Sequence, residues 1–489
     1  MSTTVASPSQ SANEDCRLPE GPSSPPLLNG LMFLFARQRS SRRLQRRYGD
    51  VYTVRMPVIG TTVVVSDPDL VKAVFTAKPT VLHGGKNPLG SLLGPGSLFS
   101  MDEDRHLEER RTLLPPFHGD RMRSYDGLIE EEALRAMQSW VDGEEFPTIR
   151  TFNTITLRVI LRAVFGAEGA ELGELEELLP RLTTIGQRLV AAPILRRDFG
   201  PWSPGRRYNV MRERYDEIVG RLIDKHLGDP ELGERIDILA LMLKPLREAD
   251  EEIKRSDLAD ELLTLLLAGH ETTSSSLAWT VERLRRHPDL LRRLEQEAEG
   301  DSSALRTATI LEVQRTRPVI TATGRMVMTP FELGEWRLPP GTRVITEASV
   351  MHGDERFHPN AASFDPERYV GRKPDTYAWI PFGGGLRRCI GAAFAQLEMD
   401  VVLRTMIRHF ELLPTDAPDE RESFRGVAFA PADGGLAVVR RRRKPRGLET
   451  TVGSNGSATK CPVDHDDPAS CASQQLSGRM PAAQRSQPS

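Results

Sequence analysis

One segment sets the scale of the fold. Residues 256–285, SDLADELLTLLLAGHETTSSSLAWTVERLR, read as a single helix. Thirty residues at ~1.5 Å each make a rod ~45 Å long, enough to cross a whole domain. Ser256 is placed to cap its start. The centre of the rod is chemically odd. Its apolar run Leu262–Ala268 ends in Gly269, His270, Glu271, Thr272 and Thr273. Gly and Thr weaken a helix interior, and Glu271 sets an acid beside a buried stretch. On an ordinary amphipathic helix such an acid is a solvated surface group.

Other long helical patterns fill the chain from 105 to 300, and a last strong one runs from 390 to 410. Pro288 fits the start of the helix in LRRHPDLLRRLEQE (284–297). Strand signals are few: GDVYTVRM (49–56), TTVVVS (61–66), and 321–351 with a turn at Pro340-Gly341. Asp67-Pro68 opens a helix. The reading is mainly α with a small β-rich lobe. Residues 1–27, rich in Ser and Pro, read as a flexible lead-in to a folded part at 28–446. Residues 447–489 hold no aromatic side chain and read as a disordered tail. The basic run Arg440–Lys444, where the folded part ends, reads as a solvated hinge rather than a binding patch.

Composition excludes several classes. Of 489 residues, 39% are hydrophobic and 27% charged, which suits a soluble globular chain. A net charge of −3 gives no basic field for nucleic acid. Four cysteines, Cys16, Cys389, Cys461 and Cys471, form no CxxC pair. Neither a disulfide framework nor a structural zinc site is expected, and a reducing cytoplasm is the default. The best apolar run near the start, Leu27–Ala36, is ten residues long and broken by Asn29 and Gly30. A spanning helix needs ~20, so no integral membrane anchor is expected. The first residues also lack the pattern of a signal peptide.

One cysteine differs from the others. Cys389 sits in PFGGGLRRCIGAAFAQLEMDVVLRTM. Gly383, Gly384 and Gly385 permit a tight turn and close backbone approach to something flat or bulky. A helical pattern follows Gly391, so Cys389 lies at a helix N-terminus, where free N–H groups favour a thiolate. Arg387 and Arg388 add positive charge. Such a thiolate is a nucleophile or a metal ligand; a buried core cysteine in a glycine turn is the plain alternative. The loop lacks the GK[ST] ending of a phosphate-binding loop.

FGGGLRRCIG resembles the haem-binding loop of the cytochrome P450 family, Phe-x-x-Gly-x-Arg-x-Cys-x-Gly, at Phe382, Gly385, Arg387, Cys389 and Gly391. The resemblance implies haem b (iron protoporphyrin IX), with Cys389 as its axial thiolate ligand, which favours O–O cleavage. It implies Phe382 packed beside the proximal face, Arg387 on a propionate, and Gly391 where the chain passes under the ring. AGHETT is similar to the family's central-helix motif, which implies proton delivery by Glu271 and Thr272, with room for oxygen at Gly269. Glu312 and Arg315, in LEVQRTRPV, with Arg368 in FDPERY, resemble the family's buried ion network and are structural by that match. His106 and Arg110, in RHLEERRTLLPPFHG, share one helix face and match propionate-holding positions, as does Arg325. Taken alone, these three would be ordinary surface charges. The resemblance covers roughly residues 28–442; a Cys–Asp–His metal site in CPVDH (461–465) falls outside it and is not expected.

The implied activity is monooxygenation by a P450 fold of the soluble, bacterial type. Its expected partners are O2, a small apolar substrate (fatty acid, terpene or polyketide-like), and a separate ferredoxin with its NAD(P)H-dependent reductase. The chain shows no room for flavin domains beyond 450 and no ferredoxin-type cysteine cluster. Arg372, Lys373, Arg387 and Arg388 would steer an acidic partner. Segments 82–104 and 180–210 should line the pocket, with Gly and Pro breaks suited to a mobile lid. A peroxide-driven peroxygenase and a non-catalytic haem-binding protein are the alternatives; the Glu271-Thr272 pair counts against the first. A thiol hydrolase lacks an obvious base beside Cys389.

Overall fold

The computed structural model describes residues 16–446, apart from 58, 86–88, 118, 120, 167–168 and 250–251. Residues 1–15 of the lead-in and the whole tail, with Cys461, Cys471 and CPVDH, lie outside the described residues.

The long rod is a continuous helix, Arg255–Leu284. It begins one residue earlier than the sequence suggests. Lys254 occupies the cap position without a side-chain bond, and Ser256 lies inside the first turn. The central threonines do not break the rod. Thr272 Oγ1 donates to the Ala268 carbonyl at 2.9 Å and Thr273 Oγ1 to that of Gly269 at 3.0 Å, so the hydroxyls bond back along their own helix. The rod packs along the helix Thr148–Phe165. Thr156 Oγ1 of that helix donates to the His270 carbonyl at 3.1 Å. A Cβ at Gly269 would lie 3.3 Å from Ile160. Gly269 therefore lets the two helices pack closely.

The β-rich lobe is a five-stranded sheet in the order 51–56, 60–65, 343–347, 322–327, 82–83. Val51 pairs with Val65 in the antiparallel hairpin, and 60–65 runs parallel to 343–347. The Pro68–Thr76 helix follows, its Asp67 cap accepting from the Asp69 and Leu70 N–H groups at 3.0 Å.

Two expected loose ends are tied down. Arg17 exchanges backbone bonds with Arg337, and the Thr53 N–H donates to the Glu20 carbonyl at 3.0 Å. Residues 17–20 of the lead-in thus attach to strands. The basic run is solvated as expected, with Arg440, Arg441, Arg443 and Lys444 exposed, but its first part is no hinge. Arg440 and Arg441 pair with Glu411 and Phe410 in a ladder, and Arg442 donates to Glu295 at 2.5 Å. Sheet pairing and an ion pair outweigh the mutual repulsion of the run.

The Ala304–Thr316 helix carries the expected network. Glu312 and Arg315 are fully buried and bonded at 2.6 and 2.8 Å. Arg315 also donates to the carbonyls of His352, Ala361 and Ser363, and Arg368 meets Glu312 at 3.4 Å. Losing one partner would strand a buried charge at ~3–5 kcal/mol.

The first half of the rod pins the turn at 94–98. Asp260 accepts from the Gly96 N–H at 2.9 Å and pairs with Arg212 of the Pro204–Leu227 helix. Glu261 accepts from the Leu98 N–H at 2.6 Å, while its other oxygen is buried without a partner. Burial, then the nearby Glu109 and Asp260 charges, pushes the Glu261 carboxyl up to about 8 against the Leu98 bond. A raised pKa means stability present below the ordinary carboxylate range and lost as pH rises through about 8. Glu261→Gln should therefore match the parent in thermal stability near pH 5 and exceed it increasingly towards pH 9. With ~1.4 kcal/mol per pKa unit, the gain should reach a few kcal/mol. Parallel melting curves across that range would contradict the assignment.

Candidate active site

The cysteine loop takes its shape from a collision it avoids. Gly383 and Gly385 have φ of 63° and 66°, where a side chain is strained. A Cβ at Gly384 would sit 2.1 Å from the Phe75 ring, and one at Gly385 2.0 Å from the Phe75 carbonyl. The flat, bulky neighbour of these two glycines is thus Phe75, on the Pro68–Thr76 helix. Arg325 clamps the same place: its guanidinium lies over the Phe75 ring at 5.7 Å and donates to the Gly384 carbonyl at 3.2 Å. The Cys389 N–H then closes the turn on the Phe382 carbonyl at 3.0 Å. Phe382 is half-buried, edge-on to Trp379 with ring centres 6.2 Å apart.

Gly391 caps the Ala392–His409 helix, and its N–H bonds Cys389. Nothing lies within 4 Å of where a Gly391 side chain would be. Burial pushes the Cys389 thiol up, while the Gly391 N–H, Arg388 and Arg110 pull it down. Yet Cys389 keeps exposed surface. Dense surroundings with an accessible face place the residue on the wall of a recess. Its electrostatic neighbours include no histidine, so a Cys–His nucleophile is not assembled.

Beside the loop gathers positive charge with little to answer it. His106 and Arg110 lie on the Glu103–Leu113 helix; neither side chain has a hydrogen-bond partner among the described residues. Burial, then Arg387 and Arg110, pushes His106 down to about 4, so it is neutral at pH 7. Arg325 is pushed down to about 10 by burial and then by Arg387. Burial also lowers Arg110 and Arg387. Two acids stand beside this group: Asp102 pairs with Arg387, which also donates to the Met101 carbonyl at 2.6 Å, and takes the Gly84 N–H at 2.7 Å, while Glu103 is bonded to His83 at 2.8 Å. His106, Arg325, Arg387 and Asp102 line one small cavity. Glu103 lines the same cavity, but it is bonded to His83 and Asp102 is taken by Arg387, so Arg325 and the neighbouring Arg110 have no ion pair with a described residue and offer a place for an anion. A thiol in a recess next to such a site fits haem b, with Cys389 for the iron and Arg110, Arg325 and His106 for the propionates. Arg387 arrives already engaged by Asp102.

The acid and alcohol sit on the rod. Glu271 is held by Gln187 of the Ala170–Ala191 helix, whose Nε2 lies 2.6 Å from both carboxylate oxygens. Burial pushes Glu271 up to about 6, against the Gln187 bond and the Arg425 charge. Ala268 and Thr272, four residues apart, share a face that keeps accessible surface. One residue on, Thr273 bonds Glu398 of the Ala392–His409 helix, and Glu398 is 1% exposed with one oxygen unpartnered. This bond ties the Thr272 stretch to the helix that follows Cys389. No described bond joins Glu271 or Thr272 to Cys389 directly.

Asp102, Phe75, Gln187 and Glu398 were not singled out by the sequence. Gln187 and Asp102 carried a signal, since they fall inside segments 180–210 and 82–104. That segment is not all pocket wall: Phe199 and Trp202 are 66% and 91% exposed. In segment 82–104, the Leu92 and Leu93 carbonyls are bonded at 2.8 Å by Tyr208 and Arg212.

The comparisons with known proteins agree with this geometry. The family model described as Cytochrome P450 matches residues 19–437. Cytochrome P450 138 of Mycobacterium tuberculosis is 48% identical over 427 residues, 87% of this chain and 97% of that protein. Cytochrome P450 137 of the same species is 36% identical over 409 residues, 82% of this chain and 85% of that one. The solved retinoic acid-bound cyanobacterial CYP120A1 superposes with a TM-score of 0.75 at 23% identity, covering 88% of this chain and 100% of that one. A 6-coordinated cytochrome P450 from Thermus thermophilus gives 0.64 at 26% identity, covering 81% and 96%.

A His106→Phe, Arg110→Leu double variant separates an anion site from a structural cluster. Removing a buried and a half-buried polar group that have no hydrogen-bond partner among the described residues should raise the melting temperature of the haem-free protein. It should also speed haem loss to a scavenger about tenfold, the scale of one lost charge-assisted bond. Unchanged haem retention would remove both residues from the anion-holding set.

Proposed function

The chain belongs to the cytochrome P450 family of haem-b monooxygenases, and from that premise we propose a role for each site residue and a class of substrate. The reaction inserts one atom of O2 into an apolar organic molecule of fatty-acid, terpene or polyketide-like character. Its electrons come from a separate ferredoxin and NAD(P)H-dependent reductase. The observation that carries this reading is the accessible Cys389 thiol near Arg110 and Arg325, neither of which is ion-paired with a described residue, while Arg387 is held by Asp102.

Haem b, when bound, supplies the redox chemistry on O2. The chain's own groups do the rest. Cys389 holds the iron as thiolate, favoured by the Gly391 N–H and by Arg110 and Arg388. Arg110 and Arg325 hold the propionates, with His106 as a neutral donor and Arg387 fixed by Asp102. Thr272 presents its hydroxyl on the accessible face of the rod, able to turn from the Ala268 carbonyl to a reacting group. Glu271, at about 6, sits close to neutrality, where a general acid both gives and regains a proton readily. Gln187 fixes its carboxylate. An apolar substrate is supported by Leu265, Leu267 and Ala268, apolar residues of the same helix that keep accessible surface. Arg372, Lys373 and Arg388 are exposed and suit an acidic electron donor.

Turnover with a surrogate ferredoxin and reductase over an apolar library tests the reading. The parent should hydroxylate a compound that shifts its Soret band. Thr272→Ala should lose several-fold more of its electrons to peroxide. Full coupling in that variant would remove Thr272 from proton delivery. Substrate-induced shifts without any product would favour a haem protein that only binds.

A further inference from the structure

The leading helix, Pro26–Tyr48, divides its outer surface by chemistry. Leu27, Leu28 and Leu31 are 68%, 48% and 45% exposed. Beyond them Arg39, Arg42, Arg43, Arg46 and Arg47 are all exposed, and none is ion-paired with a described residue. At 3.6 residues per turn, the three leucines fall with Arg39, Arg42 and Arg46 on about one third of the circumference. The helix holds six arginines and no acid, in a chain of net charge −3, which leaves −9 on everything else.

The opposite face explains why this one is free. Asn29 Nδ2 donates to the Arg55 carbonyl at 3.0 Å, Leu44 packs on Tyr52 and Val54, and Gly30 approaches Pro57. The helix is thus seated on the 51–56/60–65 hairpin, whose turn adds Ile59, 37% exposed. Gln38 bonds Glu422 at 2.6 Å at the edge of a second hairpin, which exposes Phe424.

We propose that this face rests on a lipid surface bearing anionic headgroups. Exposed leucines at one end of a helix and unpaired arginines along the rest match an acyl boundary and a headgroup layer. Charge decides against a second copy as the occupant. Two copies joined by this face would set arginines against arginines or leucines, with no acid on the helix to answer them. A protein docked in this way would draw an apolar compound from the membrane in which it is dissolved.

Sedimentation of the full-length haem-loaded protein with vesicles tests this. Phosphatidylcholine vesicles containing phosphatidylglycerol should carry the protein down; phosphatidylcholine alone should not. Arg39→Gln, Arg42→Gln, Arg43→Gln and the separate Leu27→Ser, Leu31→Ser variant should each weaken binding about tenfold, and added salt should weaken it further. These side chains are exposed, and an unchanged haem spectrum checks the fold. No binding to anionic vesicles, or binding indifferent to headgroup charge and to both variants, would overturn the proposal. So would a dimer in sedimentation velocity that the leucine variant dissolves, without vesicle binding.

Discussion

The site depends on how closely the cysteine loop presses on Phe75. A side chain at Gly384 or Gly385 would overlap that ring or its backbone, so the loop closes only where both positions are glycine. From this contact the rest follows in order. Phe75 offers its face to Arg325, Arg325 holds the Gly384 carbonyl, and the Cys389 N–H closes on Phe382. The thiol position is therefore set by the sheet lobe and its first helix, as well as by the helix it precedes.

The second constraint is electrostatic. A fold that stabilised only itself would not set a half-buried Arg110 and a buried Arg325 beside His106 and Arg387 without a carboxylate partner of their own. The same molecule shows how it treats charges that serve structure: Glu312 and Arg315 are saturated by each other and by three carbonyls. The contrast separates a network that holds the fold from a cluster that awaits an anion. The buried acids follow the same division. Glu271 keeps a donor in Gln187, whereas Glu261 and Glu398 each retain one unpartnered oxygen.

What the sequence shows well is local. The hairpin at 51–65, the Asp67 cap and the last helix arise from alternation, capping and a 3.6-residue period within a few residues of each other. The motif residues around Cys389 were equally legible, because their spacing is short. What it hides is the partner across space. Nothing adjacent to Gly269 says that Ile160 fills its groove, nor that Phe75 meets Gly384. Glu398 and Glu261 look like surface acids, since an acidic letter carries no mark of burial. Residues 17–20 and the backbone of Arg440–Arg442 misread for the same reason: composition suggested loose segments, while ladder pairing and Glu295 lay far along the chain.

The central claim is that Cys389 supplies a thiolate to haem iron. The carbon-monoxide difference spectrum of the reduced protein, recorded beside Cys389→Ser, tests it most directly. The account predicts a thiolate-type Soret band in the parent and its loss in the variant. A haem-loaded, folded parent without that band, or a variant that keeps it, would contradict the account.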